Sequence, residues 1–158
     1  LFLRVDALAK EKSLSLESAA TEVVRELREH KQPIPGYGHP QHKARDPRVA
    51  RLFAGAQEAG ALMHFVRIAE AIESVLPAIT GRDLRLNVSA AIPAVLLDVG
   101  FPAEALKGVP ILARCAGLIG HLTEELSHPI GFALSYQATR EQQYTGELPP
   151  GFTPKTAV

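Results

Sequence analysis

Pro33-Ile34-Pro35-Gly36-Tyr37-Gly38-His39-Pro40 is the stretch on which this chain turns, and it runs on as Gln41-His42-Lys43-Ala44-Arg45-Asp46-Pro47-Arg48. Pro33 and Pro35 each fix their own φ and bias the residue before them away from helix, so the segment to His39 should be extended and stiff. Gly36 and Gly38 permit positive φ and let another group come close to the backbone. The pattern predicts a ligand-contacting loop that ends on one histidine, followed by a cluster of basic residues.

Both flanks read as helix. Upstream, Leu1, Val5, Leu8 and Ala9 recur at helical spacing as far as Lys12. Ser15 then suits the N-cap of a second helix, with Glu17 in its first turn, Ala20, Val23, Val24 and Leu27 on its apolar face, and Arg28 to Lys31 at its end. Downstream, Asp46-Pro47 reads as an N-cap with proline at the first helical position, and Val49, Leu52, Phe53 and Ala56 carry the helix to Gly60. A helix over about 61–76 should stop at Pro77 and Gly81. The nearly uncharged stretch Leu86 to Leu97 predicts a buried helix closed by Gly100. Pro102 should start a short helix, and a further one should run from about Pro110 to Leu126. The tail, rich in Gly and Pro, predicts at most one short helix and then an irregular arm. With no period-two run bounded by hairpin signals, the fold class is all-α.

Bulk properties narrow the function. The 158 residues are 46% hydrophobic and 22% charged, as in ordinary globular proteins. The 17 basic and 17 acidic residues balance, so no global field favours nucleic acid. The single cysteine, Cys115, excludes an intrachain disulfide framework and fits a cytoplasmic location. Gly, Pro or a charge interrupts every apolar run, so no membrane span is expected. The opening Leu1 to Asp6 is too short and too soon acidic for a signal peptide, and without an initiator methionine residue 1 is expected to lie inside a longer polypeptide.

Several side chains could carry chemistry. His39, at the end of a rigid turn, suits a general acid or base, and equally a loop histidine that only caps or hydrogen-bonds. His39 and His42 make a His-x-x-His pair, but His64 and Cys115 lack ligand spacing, so no metal is expected. Lys43, Arg45, Arg48 and Arg51 suit either anion binding or a solvated, salt-bridged surface. Arg114 interrupts an apolar helix and calls for a buried partner or a ligand. Cys115, among small apolar residues, reads as a packed thiol. His121, seven residues after Arg114, falls on nearly the same face and reads as a core or interface histidine.

Together these residues resemble the citrate synthase superfamily. Pro35-Gly36-Tyr37-Gly38-His39 with Asp46-Pro47-Arg48 is similar to its Pro-Gly-(Tyr/Phe)-Gly-His and Asp-Pro-Arg motifs. Leu86-Asn87-Val88-Ser89 is similar to its Pro-Asn-Val-Asp, and Ala113-Arg114-Cys115-Ala116-Gly117 to its Ser/Ala-Arg-x-x-Gly helix. The resemblance covers about residues 15 to 126. It implies a helical homodimer acting on small molecules, with residues 1–98 in a small domain that closes over coenzyme A and residues 99–158 in the C-terminal part of a large domain. It further implies that His39 polarises the oxaloacetate carbonyl and that Arg48 and Arg114 grip substrate carboxylates. Pro35, Gly36, Tyr37 and Gly38 would receive the adenine end of coenzyme A, Lys43 its phosphates and Asn87 its pantetheine arm.

Three departures shape the expectation. The family's glycine-rich segment with a second active-site histidine has no counterpart in this stretch, and neither does its later Arg-Pro pair. The family's catalytic aspartate is Ser89 here. A carboxylate near pKa 4 is a base at neutral pH, whereas an unassisted hydroxyl is not. Asp98, nine residues on, falls on the opposite helix face at about 100° per residue and cannot replace it. Acetyl-CoA condensation needs that base more than citryl-CoA cleavage does, so the expected activity is a citryl-CoA lyase type of carbon–carbon cleavage. A citrate or methylcitrate synthase and a non-catalytic CoA-binding relative are the alternatives.

Overall fold

The computed structural model describes residues 1–39, 46–141, 145–147 and 149–152. Among the described residues seven α-helices follow in order, α1 (Phe2–Lys12), α2 (Leu16–Glu29), α3 (Pro47–Glu58), α4 (His64–Thr80), α5 (Val88–Asp98), α6 (Gly108–Ser127) and α7 (Gly131–Glu141), with a 3-10 turn at Ala103–Ala105. Among the described residues there is no strand, and Tyr37 and Leu86 meet only in an isolated antiparallel bridge. The all-α expectation holds.

The chain divides into two compact units, Leu1–Val109 and Pro110–Val158. In the first, α4 is the central element and packs against α1, α2 and α5, while α3 lies on α5. Ile68, Ile72 and Leu76 of α4 are fully buried with Val5 of α1 and Val24 of α2. Each such side chain contributes about 1.5–3 kcal/mol relative to exposure. Ala90, Ala91 and Ala94 turn a small-residue face of α5 inward, which lets its backbone come close to its neighbours.

Local signals set most helix ends. The Ser15 hydroxyl accepts from the Ser18 N–H at 3.1 Å, and the Asp46 carboxylate accepts from the Arg48 N–H at 3.1 Å, the two N-caps expected. The start of α4 is different. Met63, at φ 57°, provides no side-chain cap. The Asp98 carboxylate caps the helix instead, accepting from the Phe65 and Val66 N–H groups at 2.8 and 3.0 Å. The other end corrects an expectation, because α4 passes through Pro77 to Thr80. Proline removes one backbone donor near the C-terminus, and the helix closes only at Gly81, whose N–H reaches the Pro77 carbonyl at 3.0 Å with φ 68°.

The second unit holds most of α6 and all of α7. The Glu125 carboxylate closes the turn between them, accepting from the Ile130 and Gly131 N–H groups at 3.0 and 2.8 Å. Those donors hold its pKa below the usual carboxylate value. Arg114 and Cys115 are exposed, which corrects the reading of Cys115 as a packed thiol and gives Arg114 no buried partner among the described residues. The stretch Ala103–Ser127 is also long and apolar enough, by length and composition, to cross a membrane. That corrects the sequence expectation: Gly117 and Gly120 do not break the helix, and Pro110 sits in its first turn, where a missing N–H costs nothing. Length and composition alone equally fit a helix that packs against protein.

Candidate functional site

Three short pieces of the first unit meet around the histidine loop: residues 33–39, the segment 85–89 leading into α5, and the Asp46-Pro47-Arg48 start of α3. The loop is tied to the second piece by backbone bonds. Gly38 N–H donates to the Arg85 carbonyl at 2.7 Å, and Asn87 N–H donates to the Gly36 carbonyl at 2.9 Å. Between them Tyr37 turns its ring into the core, where its hydroxyl donates to the Ala69 carbonyl at 2.9 Å. Burial, with the Glu73 carboxylate nearby, raises the Tyr37 pKa far above its ordinary value, so the phenol stays protonated and remains an anchor. The adjacent Leu86 N–H is taken by Glu73 Oε1 at 2.8 Å.

Gly36 and Gly38 have φ of 92° and 81°, as their sequence context requires. At Gly36 glycine is obligatory for a second reason. A Cβ there would lie 2.5 Å from the Ala90 Cβ, so the loop rests directly on the first turn of α5.

Asn87 joins loop and helix. Its Oδ1 accepts from the Ser89 N–H at 2.8 Å as the N-cap of α5, and its Nδ2 donates to the Gly38 carbonyl at 2.6 Å. The side chain is almost wholly buried, and its amide is used on both sides. The Gly36 carbonyl and both backbone polar groups of Gly38 are therefore committed internally, while Pro35 stays exposed. His39 follows this braced segment and is half-buried.

Asp46 is the third brace. It is 1% exposed, and its Oδ1 and Oδ2 receive the Arg48 Nε and Nη2 at 2.9 and 2.8 Å. Oδ2 also accepts from the Val88 N–H at 3.0 Å, so one carboxylate serves the N-termini of both α3 and α5. The Arg48 fork and these two N–H groups hold its pKa well below the usual carboxylate range, against the opposing effect of burial. Arg48 keeps half of its side chain in solvent, with Nη1 outside the pair. Its neighbour Arg51 forms a loose, exposed pair with Glu58 at 3.8 Å, the solvated fate of such a cation.

Ser89 stands in the first turn of α5, exposed, with no hydrogen bond to its hydroxyl among the described residues. It lines an open cleft of about 240 Å³ together with Pro35, Ala90 and Pro93. Asp98 is buried at the far end of the same helix and committed to capping α4, so the inference that it cannot stand in for an acid at position 89 holds in space.

Of the residues singled out by sequence, the structure therefore gathers Pro35, Gly36, Tyr37, Gly38, His39, Asn87 and Ser89 in one loop-and-helix contact, with Arg48 attached through Asp46. His42, Lys43 and Arg45 lie outside the described residues. Arg114 belongs to the second unit. Sequence reasoning missed the bridging role of Asp46, which it read only as a cap, and the cap that Asp98 provides. The available signal for Asp98 was a lone acid closing an uncharged helix, which needs a partner when buried.

The fold and site define an all-helical protein in which the loop leading to His39 is braced, through Gly36 and Gly38, against the N-terminus of α5. The chain belongs to the citrate synthase family: the family described as "Citrate synthase, C-terminal domain" matches residues 5–131. It is 30% identical over 101 residues to a citrate synthase-like protein of a Phoma species, covering 60% of this chain and 22% of that protein. It is 28% identical over 112 residues to the citrate synthase of Dictyostelium discoideum, covering 67% and 22%. Among solved structures it is similar to citryl-CoA lyase from Hydrogenobacter thermophilus, with 31% identity, a TM-score of 0.66, and coverage of 96% of this chain and 58% of that one. The chain thus spans about a fifth of the length of these curated relatives and somewhat more than half of the lyase chain.

Proposed function

We propose that this chain is the histidine-loop portion of a citryl-CoA lyase-type enzyme, which splits citryl-CoA or a close 3-hydroxy-3-carboxy acyl-CoA into oxaloacetate and acetyl-CoA. One observation carries the reading: the α5 N-terminus presents Ser89 where the family's base would stand, and the next acid on that helix, Asp98, is consumed in capping α4. Condensation begins by taking a proton from a weakly acidic methyl group and needs that base. Cleavage begins at the hydroxyl. In this reading His39 removes the hydroxyl proton, the carbon–carbon bond breaks, and its electron pair leaves on the acetyl fragment as an enolate, which is protonated by water, directly or with Ser89 relaying the proton. Arg48, aimed by Asp46, and Arg114 hold the carboxylates and stabilise the alkoxide.

The loop from Pro35 to Gly38 and Asn87 receive coenzyme A, with Lys43 toward its phosphates. Residues 1–98 act as the closing domain, residues 99–158 belong to the large domain, and the working unit is a homodimer. Similarity to a solved citryl-CoA lyase over nearly the whole chain supports the reading. The test is to supply citryl-CoA to the full-length protein and follow oxaloacetate and acetyl-CoA. Both should appear, and His39→Ala should lower the rate at least about a hundredfold, the usual scale of a general-base contribution. No product at saturating citryl-CoA overturns the proposal.

A further inference from the structure

α4 and α5 each give the other a carboxylate, at opposite ends of their contact. At one end Asp98 of α5 accepts from the Phe65 and Val66 N–H groups that open α4. At the other the direction reverses: Glu73, about two turns further along α4, accepts from the Leu86 N–H at 2.8 Å, just ahead of α5. Leu86 is 3% exposed, so this N–H is shielded from water and depends on the carboxylate. The two clamps differ in what lies beside them. Asp98 sits at the end of α5 away from the histidine loop. Leu86 is the partner of Tyr37 in the antiparallel bridge, and its neighbours Arg85 and Asn87 bond to Gly38 and Gly36. One turn before Glu73, the Ala69 carbonyl takes the Tyr37 hydroxyl. Both sides of the bridge are thus fastened to one face of α4.

The Leu86 N–H and the Arg85 carbonyl belong to one planar peptide unit and point to opposite sides of it. Glu73 holds the N–H side, and the Gly38 N–H, at 2.7 Å, holds the carbonyl side. A carboxylate on the donor end fixes the plane and polarises the unit, which strengthens its carbonyl as an acceptor. We propose that Glu73 is a positioning residue for the cleavage: through this one peptide it holds Gly38, and with it the adjoining His39, in register with the start of α5. The inference rests on the citryl-CoA reading of the site and adds a residue of α4 that the reading does not otherwise use. With the acceptor gone, the peptide turns to find another partner for its N–H, because an unpaired buried donor is costly. The carbonyl turns with it and releases Gly38. Misplacing a reacting group by about 1 Å is enough to cost about a hundredfold in rate.

Steady-state cleavage of citryl-CoA by full-length variants tests the inference. Glu73→Leu keeps the bulk and removes the acceptor, and should lower kcat at least about tenfold while KM changes much less. Glu73→Gln still offers an amide oxygen and should bring kcat back to within about threefold of the unsubstituted protein. Glu73→Met takes the place of the leucine variant should that one not fold. Asp98→Ala is the control for a clamp that only stabilises: measured where it is folded, it should leave kcat unchanged. A second readout needs no turnover. In protein carrying isotope-labelled histidine, with the His39 ring signals assigned by their loss in His39→Ala, Glu73→Leu should shift or broaden those signals, Glu73→Gln should return them, and Asp98→Ala should leave them in place. An undiminished kcat in Glu73→Leu, or an equal loss in Asp98→Ala, overturns the inference. The two readings separate: His39 signals that follow position 73 in a protein that cleaves no citryl-CoA keep Glu73 and overturn the lyase, and cleavage indifferent to position 73 does the reverse.

Discussion

Asp46 shows how much one buried carboxylate can organise. It caps α3, satisfies the first N–H of α5 and grips Arg48 at two points. Removing it leaves the Val88 N–H without a partner and α3 without a cap, so Asp46→Ala should cost about 2–4 kcal/mol, read from urea unfolding at neutral pH. The pH dependence has a definite sign. The folded pKa is depressed, whereas the unfolded carboxyl titrates near about 3.9. Its stabilisation is therefore complete above that value and drains away as pH falls toward the folded pKa. Unfolding curves taken from pH 6 down to pH 2 should show an acid loss that Asp46→Asn blunts, and an identical acid limb in the variant would refute this account. Arg48 contributes the larger share of the depression, yet half of it faces solvent, so added salt should weaken its part of the effect.

At the level of elements, the site depends on where α5 begins and α4 begins, and each helix supplies something the other needs. Asp98, at the end of α5, caps the start of α4 from more than 30 positions away in sequence. Asp98→Ala should destabilise the first unit by about 1–3 kcal/mol, with Asp98→Asn milder because one amide oxygen can still accept. Hydrogen exchange should speed up first at the Phe65 and Val66 amides, and uniform protection across α4 in Asp98→Ala would count against the assignment. This pair also shows what was legible in the chain. Ser15, Asp46-Pro47 and the Gly36–Gly38 turn were readable because their partners sit within a few residues, where covalent geometry fixes the outcome. The span of α4 was misread because Pro77 looked like a stop, whereas a helix already held by Ile68, Ile72 and Leu76 in the core can lose one backbone donor and continue. The hydrogen bonds that place the candidate site, Asn87 to Gly38 and Asp46 to Val88, join residues more than 40 apart. No local pattern encodes them.

At the scale of the whole molecule, α6 poses a different question. Its pattern reads as an apolar helix interrupted by Arg114, yet Ile111, Leu112, Ile119 and Leu122 are all more than 60% exposed. Periodicity reports that a face is apolar and not what covers it, which is why the sequence reading put Cys115 in a core that the described residues do not supply. A contiguous apolar face of this kind marks a surface that meets protein or membrane, and the homodimer proposed above offers a second copy to meet it. Placing two carboxylates on that face would make its burial prohibitive without touching the first unit. Ile119→Glu combined with Leu122→Glu in the full-length protein should convert a dimer to a monomer in sedimentation velocity, while far-UV circular dichroism and the urea unfolding of the first unit stay unchanged. If the sedimentation coefficient matches that of the unsubstituted protein, α6 is not the surface that holds the assembly together.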